Sequence, residues 1–317
     1  MFTNNNTSNA YDVPTNFIIA VIVASCTSFL FGTVGNIVVL VHNIFKNHTK
    51  TPTTYFVINL AFGDIFVCCF FFPTWIVKSF LILSGKNVRS GNLCSLSVAS
   101  SGTSVALSVA NLLALYVDRY IFISRPLKYH LIMTRRKAYL ILLSVWLLCV
   151  VNAVLLFTLS RTDKDLIYCR TDSRSVLAVD LCTFYILVIT LIYLNHKIFK
   201  VARRQNCRTA IYPAQENTDI TSRSSTRSAL QQLKLLKTFF MMLGMFLCCF
   251  IPYAIVKTME MFDCGKRHCV PDGIYVSSVL LVGINSVCNP FIYVIRLKVC
   301  RKVWQNLMYK MCNDHAF

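Results

Sequence analysis

The sequence predicts an all-α fold, a seven-transmembrane helix bundle with a short amphipathic cytoplasmic helix after the last span. Three observations carry this. Hydrophobic residues make up 56% of the 317 and charged residues only 14%, with a mean hydropathy of +0.57, whereas a soluble chain carries about 25% charged residues. Seven successive apolar runs are each long enough, at about 1.5 Å per residue, to cross a ~30 Å hydrocarbon core. Basic residues gather in alternate connections, and with the N-terminus outside most of the 32 Lys and Arg fall on the cytoplasmic side, as the positive-inside tendency requires. The net charge of +19 is then a topology signal with added attraction to anionic inner-leaflet lipid. Divided among four short segments, it argues against a nucleic-acid partner.

Residues 1–16 form a polar, Asn-rich extracellular tail. Asn5 and Asn6 each open an Asn-X-Ser/Thr glycosylation pattern, which also occurs at Asn47 on the cytoplasmic side and is therefore weak by itself. No signal peptide is expected, because no charged region precedes the first apolar run, which should stay as a signal anchor. The membrane domain covers 17–297, with spans near 15–42, 54–83, 93–122, 138–159, 176–201, 233–259 and 273–296.

The first span carries Gly35-Asn36 and the second carries Asn59 to Asp64. A carboxylate ten residues into an apolar run is costly unless it is paired or faces a polar cavity; a purely structural hydrogen-bonding role is the plainer alternative. Asp64 is the one deep acid this reading finds. Pro73 kinks the outer part of the same helix. From Cys94 to Val117 the third span has no Lys, Arg, Asp, Glu or His, and it ends in Asp118-Arg119-Tyr120 at the inner interface. Arg119 there either snorkels to water or is a switch residue held by its acidic neighbour.

The fourth span has Trp146 near its middle, and the loop 160–175 carries Cys169. The fifth lacks proline and ends in a basic run over 197–204. Residues 205–228 read as a flexible cytoplasmic loop, whose Ser and Thr beside Arg are either kinase targets or part of an unmodified linker. Pro252 makes a hinge in the sixth span. In the seventh, Asn285, Ser286 and Asn289 cluster where Pro290 frees a backbone carbonyl, just before Tyr293. Residues 298–317 form the amphipathic helix and tail, with Val299, Val303, Trp304 and Leu307 opposed to Arg301, Lys302 and Lys310 on the inner leaflet. Cys300 and Cys312 are candidate acylation sites there.

Most of the 15 Cys lie in apolar runs and read as small core residues. Four fall outside, and an oxidising exterior allows two bridges, Cys94–Cys169 and Cys264–Cys269. Zinc is not expected between Cys264 and Cys269, since two thiols and His268 leave no fourth ligand in reach.

As a set, Asn36, the Asn59–Asp64 segment, Cys94, Asp118-Arg119-Tyr120, Trp146, Cys169, Cys249-Phe250-Ile251-Pro252 and Asn289 to Tyr293 resemble the rhodopsin-like (class A) G-protein-coupled receptors over all seven spans. The resemblance implies a plasma-membrane receptor rather than an enzyme, with its N-terminus outside and a heterotrimeric G protein as partner. Arg119, held by Asp118 at rest, would swing to the G protein on activation, with Tyr120, Phe250, Pro252, Asn289, Pro290 and Tyr293 in the same machinery. Asp64, Ser108, Asn285, Ser286 and Asn289 would line an allosteric sodium pocket, the oxygen-rich chemistry a hard cation needs. No other cofactor is implied.

The departures from the family pattern are informative. Phe250 replaces the usual Trp, and Gln232 stands where many members have an acid pairing with the motif Arg, so basal activity is expected. The fifth-span tyrosine is either Tyr193 or displaced by Asn195. The family's ligand pocket maps to Ser101, Val105, Phe250, Tyr253, Lys257, Tyr275 and Val279. Ser101 replaces the aspartate of amine receptors, which argues against an amine for want of a counter-ion. Gly283 replaces the lysine of opsins, which excludes a retinal Schiff base. Lys257 either meets an anionic ligand group or snorkels outward. A short peptide is favoured, with a non-amine small molecule next. No Ser or Thr follows Ser286, so any phosphate-dependent arrestin contact falls to 218–228. The rival readings are a signalling-deficient decoy or heteromer partner and, more remotely, a seven-helix transporter.

Overall fold

The computed structural model describes the backbone of residues 13–46, 51–84, 91–162, 169–171, 174–211, 219–263 and 270–296. Seven helices among these are long and apolar enough to cross a membrane. They are α1 (Thr15–Val41), α2 (Pro52–Leu83), α3 (Gly91–Ser124), α5 (Arg135–Leu159), α6 (Arg174–Ile211), α7 (Asp219–Asp263) and α8 (Asp272–Arg296). A short α4 (Tyr129–Ile132) lies in the turn between α3 and α5, and strands β1 (Ser160–Thr162) and β2 (Cys169–Thr171) pair antiparallel between α5 and α6.

Local chemistry sets several helix starts. Pro52 occupies the first turn of α2, where its missing N–H costs nothing, after an extended Thr51. Pro14 and Pro271 precede α1 and α8, and their carbonyls accept the first main-chain bonds, from Phe17 at 2.9 Å and Tyr275 at 3.1 Å. Asp272 in the first turn of α8 complements the helix dipole. Pro73, Pro252 and Pro290 all lie inside helices.

The spans α1, α2, α3, α6, α7 and α8 pack in a ring that closes from α8 back onto α1, α5 sits against α3 and α2, and α3 thus touches α2, α5, α6 and α8. This central place explains the small, uncharged composition of α3, whose most apolar window is 67% buried against 17% in α1, α5 and α6. A polar relay pins it to its neighbours: Trp146 Nε1 donates to Asn59 Oδ1 at 2.8 Å, and Asn59 Nδ2 donates to Asn111 Oδ1 at 2.6 Å.

Two expectations change. The backbone of 205–211 and 219–228 is helical, continuing α6 and opening α7, so the polar composition there marks the exit from lipid rather than the end of a helix. Asn195 is buried while Tyr193 is exposed with Lys197 Nζ over its ring at 5.2 Å, so it is Asn195 that faces the bundle. The tail residues Asn5 and Asn6, the pair Cys264 and Cys269, the stretch 212–218 and the amphipathic helix at 298–317 lie outside the described residues. Cys94 is disulfide-bonded, and Cys169 lies on β2, which packs against α3. The cysteines expected in the core, including Cys26, Cys68, Cys149 and Cys249, are free.

Candidate functional site

At the hairpin-bearing end of the bundle, a cleft of about 470 Å³ including its open mouth is walled by α3, α5, α6, α7 and α8. It brings together Ser101, Tyr253, Lys257, Tyr275 and Val279 of the expected pocket. Val105 and Phe250 belong instead to the packed core beneath it. Phe250 is fully buried, its ring 4.5 Å from Phe246 and 6.4 Å from Phe184.

The polar content of this cleft differs from the sequence reading. Lys257 does not snorkel: its Nζ is 2.9 Å from Glu260 Oε2, and it lies 5.7 Å and 5.0 Å from the ring centres of Tyr253 and Tyr275. Asp180 on α6 also lines the cleft, where Asn152 Nδ2 donates to its Oδ1 at 3.2 Å. Sequence reasoning missed Asp180 because it stands only a few residues into its span. An acid at that depth carries the same hydropathy signal as one in a loop.

Gly283 has no room for a side chain: a Cβ there would fall 2.4 Å from Phe71 Cε1 and 2.9 Å from Phe72 Cζ.

In mid-membrane, Asn289 Nδ2 donates to Asp64 Oδ2 at 2.7 Å, and Asn285 Nδ2 approaches Ser108 Oγ at 3.4 Å. Ser286 lies buried beside the Asp64 carboxylate, its hydroxyl directed at it. Asn36 ties this region to α1 by donating to the Ser286 carbonyl at 3.0 Å. The donor set is one carboxylate, two hydroxyls and two amides. It fits a small hard cation.

At the opposite end, Asp118 has no exposed surface. Its Oδ2 accepts from Thr53 Oγ1 at 2.6 Å and lies 3.4 Å from Arg119 Nε, while its Oδ1 accepts from Tyr129 OH at 2.7 Å. Thr53 and Tyr129 had no sequence signal, since one is a loop-edge hydroxyl and the other follows a turn. Burial pushes the Tyr129 phenol up to about 12, and the adjacent Asp118 carboxylate adds to the shift. Arg119 rests its guanidinium 5.4 Å from the Phe122 ring centre. Tyr120 packs half-buried against the core, and Tyr293 is placed on α8 by its backbone.

Known receptors are similar to this chain in sequence. The chain is 25% identical over 311 residues to the alpha-1A adrenergic receptor of Oryzias latipes, covering 89% of this chain and 65% of that protein. It is 23% identical over 313 residues to the alpha-1A adrenergic receptor of Mus musculus, covering 89% and 66%. It is 26% identical over 279 residues to the melanocortin receptor 4 of Danio rerio, covering 86% and 78%. The chain thus spans just under two thirds of the length of the two adrenergic receptors. The family model for the seven-transmembrane receptors of the rhodopsin family matches residues 35–293, and with that match across all seven helices the chain belongs to the rhodopsin family of receptors.

Proposed function

We propose that this chain is a plasma-membrane receptor, N-terminus outside, that converts occupancy of its outer cleft by a diffusible ligand into activation of a heterotrimeric G protein. The observation that carries this is the unequal hold on Asp118. Its contacts with Thr53 and Tyr129 are 2.6 and 2.7 Å, but Arg119 stands at 3.4 Å. Arg119 can leave without stranding a bare buried carboxylate, because two hydroxyl donors remain on it. The contact from Arg119 is the longest of the three on that carboxylate, which suits a guanidinium that changes partners when the bundle shifts.

The ligand we propose is a short peptide, with a non-amine small molecule next. Sodium, when bound by Asp64, Ser108, Asn285, Ser286 and Asn289, supplies a positive charge that neutralises the Asp64 carboxylate. In the rest of the switch the chain's own residues act: Asn289 gives up its bond to Asp64, and α8 is freed around Pro290. Arrestin would meet the chain through 218–228 once its hydroxyls carry phosphate.

The test is nucleotide exchange on co-expressed heterotrimers, with surface expression measured alongside. Arg119→Ala should reduce exchange to the level of cells lacking the receptor. Unchanged exchange in a well-expressed variant would overturn the proposal, and no exchange by the wild type with any ligand would favour the decoy reading.

A further inference from the structure

We propose that the cavity between α2, α3 and α5 is a second ligand site, entered from the hydrocarbon, for a small neutral molecule of one ring that carries a hydroxyl group. It is separate from the outer cleft and stands whatever ligand fills that cleft.

Size and opening come first. The cavity offers about 140 Å³, close to the ~150 Å³ of an engineered apolar cavity that takes up benzene. Phe71 and Cys149 line it with almost no exposed surface, whereas Phe70, Leu96 and Val150 on its walls are 51%, 40% and 55% exposed. Those three stand on three different spanning helices, so the mouth opens sideways onto lipid rather than onto either aqueous face. The wall is aromatic: Phe66 is 4.4 Å from Phe70 and 5.7 Å, edge to face, from Trp146. Such rings pack well against another ring.

The polar side is built from α3. Ser100, Thr103 and Ser104 line the cavity, and their i, i+3, i+4 spacing places them on one helix face. Ser100 donates to the Ser97 carbonyl at 3.1 Å and Ser104 to the Ser100 carbonyl at 2.6 Å, so both oxygens keep lone pairs for an incoming donor. Thr103 is nine-tenths buried, and its Oγ1 has no hydrogen-bond partner among the described residues. Within a bilayer such a hydroxyl has no water to turn to. Rotation about χ1 exchanges its methyl and hydroxyl at the wall without breaking a bond. A ligand hydroxyl both donates and accepts, and so answers Ser100 and Thr103 together.

The depth of these hydroxyls selects the occupant. They lie about 14–20 Å along the axis from the start of α3 at Gly91, whereas a sterol or phospholipid keeps its polar head at the interface. An acyl chain reaches that depth but brings no donor. A phenol or small ring alcohol dissolved in the membrane meets both demands. Bound there it touches Trp146, whose Nε1 holds Asn59 at 2.8 Å, and with it the relay that pins α3.

The probe is 4-bromophenol, whose bromine quenches tryptophan emission on contact. Bromobenzene and 4-bromoanisole are its matched forms without the O–H donor. The chain has three Trp, so full-length receptor with Trp75→Phe and Trp304→Phe reports from Trp146 alone. In detergent, with each probe counted per amount dissolved in the micelles, 4-bromophenol should quench saturably and bind about fivefold more tightly than either matched form. Ala153→Phe fills the cavity from a half-exposed wall position and should leave only the linear quenching of simple partition. Ser100→Ala combined with Thr103→Val should bring the three probes level. Linear quenching in the parent protein, equal affinity for the three probes there, or saturable quenching that survives Ala153→Phe overturns the inference. So does a preference for 4-bromophenol undiminished without the two α3 hydroxyls. In lipid nanodiscs, added cholesterol should leave the phenol in place; displacement would give the site to a sterol and overturn the proposed occupant. Should the double Trp replacement fail to fold, the wild type with and without Ala153→Phe supplies the same reading.

Discussion

The Tyr116 hydroxyl donates to the Phe239 main-chain carbonyl at 2.5 Å, with the two rings 5.4 Å apart edge to face. The bond joins α3 to the half of α7 at the Asp118 end of the bundle through a tyrosine with no exposed surface. Any outward movement of α7 relative to α3 must break it.

Tyr116→Phe keeps the ring packing and removes only this bond, worth about 1 kcal/mol or roughly fivefold in a two-state equilibrium. Ligand-independent nucleotide exchange should rise by about that factor. A basal rate equal to wild type at matched surface expression would show that the bond does not restrain the resting form.

Tyr129 gives a pH prediction. Its phenol is raised from 10.0 to about 12, so the folded state favours the protonated form. The stability this contributes is complete below pH 10 and is lost as pH rises toward 12. Tm of the purified receptor should show no Tyr129-dependent slope near neutrality and an added fall above pH 10 that Tyr129→Phe abolishes. The variant should also be less stable at neutral pH by about 1–3 kcal/mol, since Asp118 loses a buried donor.

The Asp64 site predicts an ion effect. If sodium in this pocket favours the resting form, replacing it by N-methylglucamine at constant ionic strength should raise basal exchange in the wild type. Asp64→Asn should make exchange indifferent to the substitution. Equal sodium sensitivity in both proteins would place the ion elsewhere.

Gly283→Ala tests the packing of α8 on α2. The new methyl must displace the Phe71 and Phe72 rings, from which it would stand 2.4 and 2.9 Å. Overpacking of this kind costs about 1–3 kcal/mol. Thermal unfolding in detergent should start lower than in wild type, and Phe71→Leu in the same chain should recover part of the loss.

Much of this polar clustering within the spans was legible in the sequence. Asp64, Asn285, Ser286 and Asn289 stand out because polar side chains deep in apolar runs are costly and must find one another. The Asp118-Arg119 pair is visible as the first charges after a long uncharged run. The partners of Asp118 were not legible, since Thr53 and Tyr129 are ordinary residues at the membrane edge. Asp180 was hidden for the same reason, by its position near the start of a span.

By itself the sequence determined seven spans and the place of Arg119 at the end of the third, because the hydrophobic effect acts along the chain and reads out as composition. Tertiary structure alone decided which side chains meet across helices: Lys257 with Glu260 and two tyrosines, Asp180 facing Ser101 across the cleft, and Tyr116 on the Phe239 carbonyl. The rotation of each helix about its axis and the approach of its neighbours fix those contacts. In helices apolar on nearly every face, no periodic pattern announces that rotation.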